Sequence, residues 1–158
     1  CKMSFKDQKS AKDAYSELVS QDSKGCLVDV RSNREWCISG VVDLSLHNKR
    51  MVLCEWRSYP SMNINENFFD ELLKKMDINK IDNLYFMCAA GVRSQEALEH
   101  TRVKLEEREL KINCINIFDG FEGNTNKIFN LGKTSGWKGS GLAWCEFDDL
   151  MNAMEVKG

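Results

Sequence analysis

The chain has 158 residues, 42% hydrophobic and 29% charged, which excludes a disordered or membrane-embedded polymer and fits about one domain with one sizeable core. Its net charge of −2, with basic residues dispersed along the chain, gives no phosphate-tracking patch and so no support for nucleic-acid binding. The longest apolar stretch, Leu84 to Val92, is far short of the roughly 20 residues that span a bilayer, and no apolar signal-peptide core follows the N-terminal charges. Seven cysteines, an odd number without C-x-x-C spacing, argue against a disulfide framework and for a reducing, cytoplasmic setting. His47 and His100 are too far apart for a zinc spacing, so neither a metal nor another cofactor is expected.

Short apolar runs alternate with helical patterns. Ser10 is a suitable N-cap for a helix over about Ala11 to Val19, and Cys26-Leu27-Val28-Asp29-Val30 reads as a buried strand. Met51 to Cys54 reads as a second strand. Phe68, Phe69, Leu72, Leu73 and Met76 recur at helical spacing, with Asn65 as the expected N-cap. Leu84 to Met87 is a third strand, followed by a helix from about Ser94 to Glu107 that buries Ala97, Leu98, Thr101 and Leu105. Cys114 to Phe118 is a fourth strand. Beyond Gly123 the pattern weakens into a glycine-punctuated tail whose Trp137 and Trp144 favour an ordered cover, and a last helix is expected near Glu146 to Met154. Strands without polar alternation are buried on both faces, and helices between them imply parallel crossovers. The expected fold is therefore α/β, a mainly parallel sheet with helices on both faces.

In such sheets ligands collect beyond the carboxyl ends of the strands. Cys88 falls at one such end, Asp29-Val30-Arg31 at a second and Asp119-Gly120-Phe121-Glu122-Gly123 at a third, so the three loops are expected to share one face. Cys88 opens the segment Cys88-Ala89-Ala90-Gly91-Val92-Arg93-Ser94, where a buried strand feeds a helix through small residues. Inward-turned N–H groups of the loop, the positive end of the helix and the charge of Arg93 all favour thiolate over thiol. Cys26, Cys54 and Cys114 fit core strand positions, and Cys37 reads as structural. Cys145 becomes a candidate resolving thiol if the tail covers the active face.

Three segments together resemble a rhodanese-like sulfurtransferase domain of the small, single-domain bacterial type. They are Leu27-Val28-Asp29-Val30-Arg31 with Glu35-Trp36 and Gly40, then the C-x-x-G-x-R-S loop from Cys88 to Ser94, then Gly120-Phe121-Glu122-Gly123. The resemblance covers residues 10–146, the tail at about 124–146 included, and leaves 1–9 and 147–158 as terminal extensions. Ser39-Gly40-Val41-Val42-Asp43-Leu44 departs from the family's G-H-I-x-G-A turn. The family's sheet has five strands, which places the fifth here near Ser4 to Asp7 or at Val41-Val42.

The resemblance implies a thiosulfate sulfurtransferase-like enzyme. Cys88 would take a sulfane sulfur from thiosulfate or a small or protein persulfide and pass it to a thiol, cyanide or a sulfur-accepting protein. Ala89, Ala90, Gly91, Val92 and Arg93 would hold the persulfide, supported by Asp29, Arg31, Glu35 and Ser94, with Arg31 pairing Glu35. Glu122 and Trp137 are candidates for the pocket mouth. A non-enzymatic persulfide carrier is the alternative. A cysteine-dependent phosphatase or arsenate reductase is disfavoured because Cys88 to Arg93 is C-x4-R, one residue shorter than the C-x5-R cradle for a tetrahedral oxyanion.

Overall fold

Asn33 and its neighbours show how locally this chain sets its own boundaries. Ser32 accepts the Glu35 N–H while the Glu35 carboxylate accepts the Ser32 N–H, a reciprocal cap that starts a helix where the preceding strand ends. In the computed structural model, which describes residues 7–123 and 135–157, such signals divide the chain into short elements. In chain order these are β1 (Gln8–Lys9), α1 (Ala11–Leu18), β2 (Gly25–Asp29), α2 (Asn33–Ser39), β3 (Val41–Val42) and β4 (Arg50–Leu53). A hairpin of β5 (Arg57–Ser58) and β6 (Asn63–Ile64) precedes α3 (Phe68–Lys75), β7 (Asn83–Met87), α4 (Val92–Glu107) and β8 (Asn113–Ile117). The chain closes with α5 (Gly136–Gly139), β9 (Trp144–Cys145) and α6 (Phe147–Lys157).

The central sheet has five strands in the order β1-β8-β7-β2-β4. Every neighbouring pair is parallel, with Asp29 opposite Met87 and Phe86 opposite Asn116. Its fifth strand is β1, directly after the Ser4 to Asp7 stretch and not at Val41-Val42. Val41-Val42 instead pairs antiparallel with Trp144-Cys145, and residues 1–6 lie outside the described residues. Gln8 and Lys9 thus belong to the sheet, so the expected boundary at residue 10 is two residues late. At the other end, Phe147 stacks on Trp36 with ring centroids 6.2 Å apart, which ties α6 to α2.

Side-chain parity along the strands sorts the core into two halves. Cys26, Val28, Leu84, Phe86, Cys88 and Cys114 face α3 and α4. Leu27, Tyr85, Met87, Ile115 and Ile117 face α1 and the tail. Trp137 fills the second half, fully buried, with its ring edge-on to Tyr15 at 5.6 Å. Burying a large apolar side chain contributes about 1.5–3 kcal/mol, so the described part of the tail is an ordered cover. Residues 124–134 of that tail lie outside the described residues.

Two helix starts differ from their expected places. Asn67, and not Asn65, occupies the cap position of α3, while the Asn65 Oδ1 accepts the Asn67 N–H and its amide nitrogen donates to Glu55 O and Glu71. α4 begins two residues early, at Val92, because Gly91 turns the chain at φ 98°. A side chain there is barred twice, by that φ and because a Cβ would collide with the Phe118 carbonyl.

Asp119 joins the halves of the molecule. One carboxylate oxygen accepts the Ala11 N–H and the other the Gly136 N–H, both at 2.8 Å, so one buried side chain caps α1 and anchors α5. Asp119→Ala leaves two buried donors without partners and lowers unfolding free energy by about 2–4 kcal/mol, read from urea denaturation. A loss below about 0.5 kcal/mol would show that other groups take over both bonds.

Candidate active site

The carboxyl ends of β2, β7 and β8 converge, and backbone hydrogen bonds lock their loops to one another. Val30 N–H donates to Met87 O at 2.8 Å, joining the first loop to β7. Phe121 N–H donates to Cys88 O at 2.8 Å and Glu122 N–H to Ala89 O at 3.0 Å, joining the third loop to the second. Gly120, at φ 62°, lies so close to Ala89 that a Cβ would overlap its carbonyl. Trp137 N–H then donates to Gly120 O at 2.8 Å, closing the stack with the tail.

Cys88 sits inside this stack, 1% exposed. Its Sγ accepts the Gly91 N–H at 3.1 Å and lies 3.2 Å from Ser94 Oγ. α4 runs sixteen residues away from it, so the first-turn N–H groups, which lack partners within the helix, and the positive end of the helix dipole lie beside the sulfur. Among the loop residues only Ala89, Ala90 and Gly91 stand outside the helix, and Ala90 and Val92 are the exposed ones.

The charged residues pair differently from the sequence expectation. Arg31 pairs with Asp29 and not with Glu35: its Nε and Nη2 both reach the Asp29 carboxylate, at 3.0 and 2.6 Å. Both residues are fully buried. Arg31 Nη2 also donates to Gly40 O at 2.9 Å, and the guanidinium lies 4.1 Å from the Phe121 ring centre, so this pair braces the first loop against the third. Glu35 instead takes Arg93 in a two-pronged bridge, both contacts at 2.7 Å. Burial pushes the Glu35 carboxyl up, but the Arg93 bonds, the Ser32 N–H and the charge of Arg93 outweigh it and bring it down to about 2. The same bonds raise Arg93, which also feels Cys88 and Asp29. Arg93 is therefore a spoken-for cation that ties the Cys88 loop to α2, and no open anion fork.

A cleft of about 360 Å³ opens beside this bridge, walled by Ser32, Arg34, Glu35, Ile38, Tyr59 and Met62. Glu35 is the residue it shares with the Cys88 loop. Of the two residues expected at the pocket mouth, Glu122 meets the loop only through its backbone while its side chain is exposed. Trp137 is buried across the sheet from Cys88 and belongs to the core. Cys145 lies in β9 against Val41, and burial first, then Asp43, Asp149 and Glu146, raise its thiol, the reverse of what a resolving thiolate needs. Cys54 and Cys114 are pushed up to about 12 by burial, as inert core thiols are. Among the described residues no three His, Cys, Asp or Glu side chains gather as metal ligands, and no helix is long and apolar enough to cross a membrane.

One site residue escapes the motifs. Asn116, in β8 and 3% exposed, accepts the Ser94 hydroxyl at 2.6 Å and donates to Gly91 O and to Gln8 Oε1. Its sequence signal is slight: a polar residue at an inward position of an otherwise apolar strand, Cys114-Ile115-Asn116-Ile117.

No protein-family model matches the chain. It is 34% identical over 132 residues to the uncharacterized RP600 homolog of Rickettsia rickettsii and 35% identical over 132 residues to RP600 of Rickettsia prowazekii (strain Madrid E). Each alignment covers 83% of this chain and 90% of the relative. Among solved structures, Rv0390 from M. tuberculosis is 30% identical with a TM-score of 0.70, over 88% of this chain and 96% of that one. A rhodanese-like domain protein from Staphylococcus aureus is 20% identical with a TM-score of 0.46, over 75% and 93% of the two chains, a likeness too distant to carry an argument about activity.

Because Glu35 is lowered on folding from 4.5 to about 2, its bridge contributes stability fully above pH 4.5, and that contribution is lost as pH falls toward 2. Glu35→Gln is accordingly less stable than the parent protein at neutral pH, and the gap closes on acidification through that window. Urea unfolding of both proteins across the pH range reads this directly. A gap independent of pH would mean that the bridge adds nothing.

Proposed function

The chain belongs to the family of the Rickettsia RP600 proteins, and we propose that it is a sulfurtransferase of the rhodanese type working through a Cys88 persulfide. The observation that carries this reading is the setting of one sulfur: Cys88 Sγ, at the carboxyl end of a central parallel strand, accepts the Gly91 N–H at the start of a sixteen-residue helix. A preorganised donor and a helix N-terminus stabilise negative charge on sulfur without rearrangement.

In the first half-reaction the Cys88 thiolate attacks the outer sulfur of the donor. The donor's S–S bond breaks, its electron pair leaves with sulfite or with a thiolate, and a Cys88 persulfide remains. In the second, an acceptor thiolate or cyanide attacks the outer sulfur of that persulfide and restores Cys88. The Gly91 N–H and the first-turn N–H groups of α4 hold the charge in both steps, and the Asp29–Arg31 and Glu35–Arg93 pairs keep the loop in place. The partners are a small sulfur donor and acceptor, or an acceptor protein.

Phosphoryl or arsenate chemistry fits less well. An oxyanion cradle needs a guanidinium free to fork with the ligand, and the Arg93 fork is filled by Glu35.

The decisive measurement is the intact mass of the reduced protein after thiosulfate and, separately, after a simple alkyl persulfide, which carries at most one negative charge. The protein gains one sulfur atom that cyanide removes, and Cys88→Ser gains none. Loading of Cys88→Ser at the parent rate refutes the mechanism. Donor preference follows from the bridge. Glu35→Gln keeps a capping side chain at the third position of α2 but leaves Arg93 uncompensated beside the sulfur. Loading from the thiosulfate dianion rises by roughly tenfold relative to the singly charged alkyl persulfide, the low end of electrostatic steering. An unchanged ratio would show that Arg93 exerts no pull on the donor.

A further inference from the structure

Asn116 determines where the Ser94 proton points, and the bookkeeping is forced. The Asn116 side chain faces Gly91 O at 3.1 Å. A backbone carbonyl only accepts, so the atom facing it is the amide nitrogen. The second hydrogen of that nitrogen goes to Gln8 Oε1 at 3.0 Å. What remains toward Ser94 is Oδ1, which also only accepts, so the Ser94 hydroxyl donates its one proton there, at 2.6 Å. Ser94 Oγ then presents lone pairs to Cys88 at 3.2 Å, and the contact is satisfied when Cys88 is the donor. Cys88, Ser94 and Asn116 are each at most 3% exposed, and no described hydrogen bond of theirs offers another outlet for these protons.

We propose that Asn116 is a positioning residue that holds the resting Cys88 as a hydrogen-bonded thiol by claiming the Ser94 hydroxyl. The Ser94 proton has two places to go. Directed at Asn116 Oδ1, it leaves lone pairs facing the sulfur and favours the thiol. Turned to the sulfur, it adds a second donor beside the Gly91 N–H and favours the thiolate, at the cost of a buried amide oxygen left unpaired. Turning the hydroxyl breaks no covalent bond; the ionisation it favours breaks the Cys88 S–H bond, leaving the electron pair on sulfur while the proton passes to solvent or to the departing group of the donor. The nearby charges do not override it, since Arg93 on α4 is bridged to Glu35 and Asp29 on β2 to Arg31. Activation of the nucleophile is thus the turning of one hydroxyl, and it is Asn116 that opposes the turn.

The inference rests on Cys88 as the nucleophile of the proposed reaction, but its test uses no sulfur donor, so it can fail while sulfur transfer stands. The readout is the rate of Cys88 alkylation by iodoacetamide at neutral pH, located by peptide mass, with Cys88→Ser as the blank. Asn116→Leu keeps the volume and removes the acceptor, which frees Ser94 to serve the thiolate. The rate rises by about tenfold, the scale of one hydrogen bond to a charged group. In a Ser94→Ala background the same substitution gives no gain, because the proton it releases is absent. Loss of reactivity in Asn116→Leu, or a gain that persists without Ser94, overturns the proposal, since both are what loosened loop packing would give. Should Asn116→Leu not fold, the infrared S–H stretch decides with folded proteins alone. The parent minus Cys88→Ser difference shows a hydrogen-bonded thiol band that moves to the free-thiol position in Ser94→Ala. A Cys88 band unmoved by Ser94→Ala, or thiolate absorbance in its place, overturns it equally.

Discussion

Two backbone hydrogen bonds, from Phe121 N–H to Cys88 O and from Glu122 N–H to Ala89 O, hold together everything that makes this site. They carry strand-like pairing between β7 and β8 past the ends of both strands, into loops that would otherwise separate. The separation they enforce leaves no room for a side chain at Gly120 or Gly91. With the two loops held together, the Gly91 N–H points at the sulfur, α4 starts at Val92, and the Phe121 ring lies against Arg31. The geometry around the Cys88 sulfur follows from main-chain contacts, which no surface substitution can retune.

Charge in the site is balanced locally. Arg31 answers Asp29 with three side-chain contacts and Arg93 answers Glu35 with two, so the loops meet as two neutral pairs. A buried pair of this kind is weak evidence of net stability, because desolvation consumes much of the attraction, yet removing one partner strands the other. Its value here is directional. The Asp29–Arg31 pair fixes the first loop to Gly40 and Phe121, and the Glu35–Arg93 pair fixes the Cys88 loop to α2. What remains beside the sulfur is the Gly91 N–H and the N-terminus of α4, which act at short range.

Much of this was legible in the sequence wherever a signal is local. Apolar runs without alternation marked β2, β7 and β8, and a small-residue loop between a strand and a helix marked Cys88. Partner choice was not legible, because it depends on which loop lies over which. Arg31 is only two residues from Asp29 on one extended segment, so both side chains leave the same side of the chain and meet; Arg93 arrives from α4 to claim Glu35. Trp137 reads in the sequence both as part of an ordered cover and as a candidate for the pocket mouth. It enters the face of the sheet opposite Cys88, a matter of parity that the tail's own sequence does not encode. Asn65 missed the α3 cap by two residues because its side chain caps its own turn.

Asn116 extends the site across the sheet to its edge. From Asn116 the hydrogen bonds continue to Gln8 on β1, from Gln8 Nε2 to Gln95 at 2.8 Å, and from Gln95 to Glu99 at 3.3 Å. Each amide in this row is fixed by the one before it, so the orientation of the Asn116 amide beside the Cys88 loop is propped by a two-residue edge strand and the outer face of α4. A two-residue strand contributes little to the sheet through its own ladder. Its worth lies in delivering Gln8 to the one place where the second Asn116 hydrogen needs an acceptor. The strand at Gln8–Lys9 is therefore part of what orients Asn116 beside the Cys88 loop.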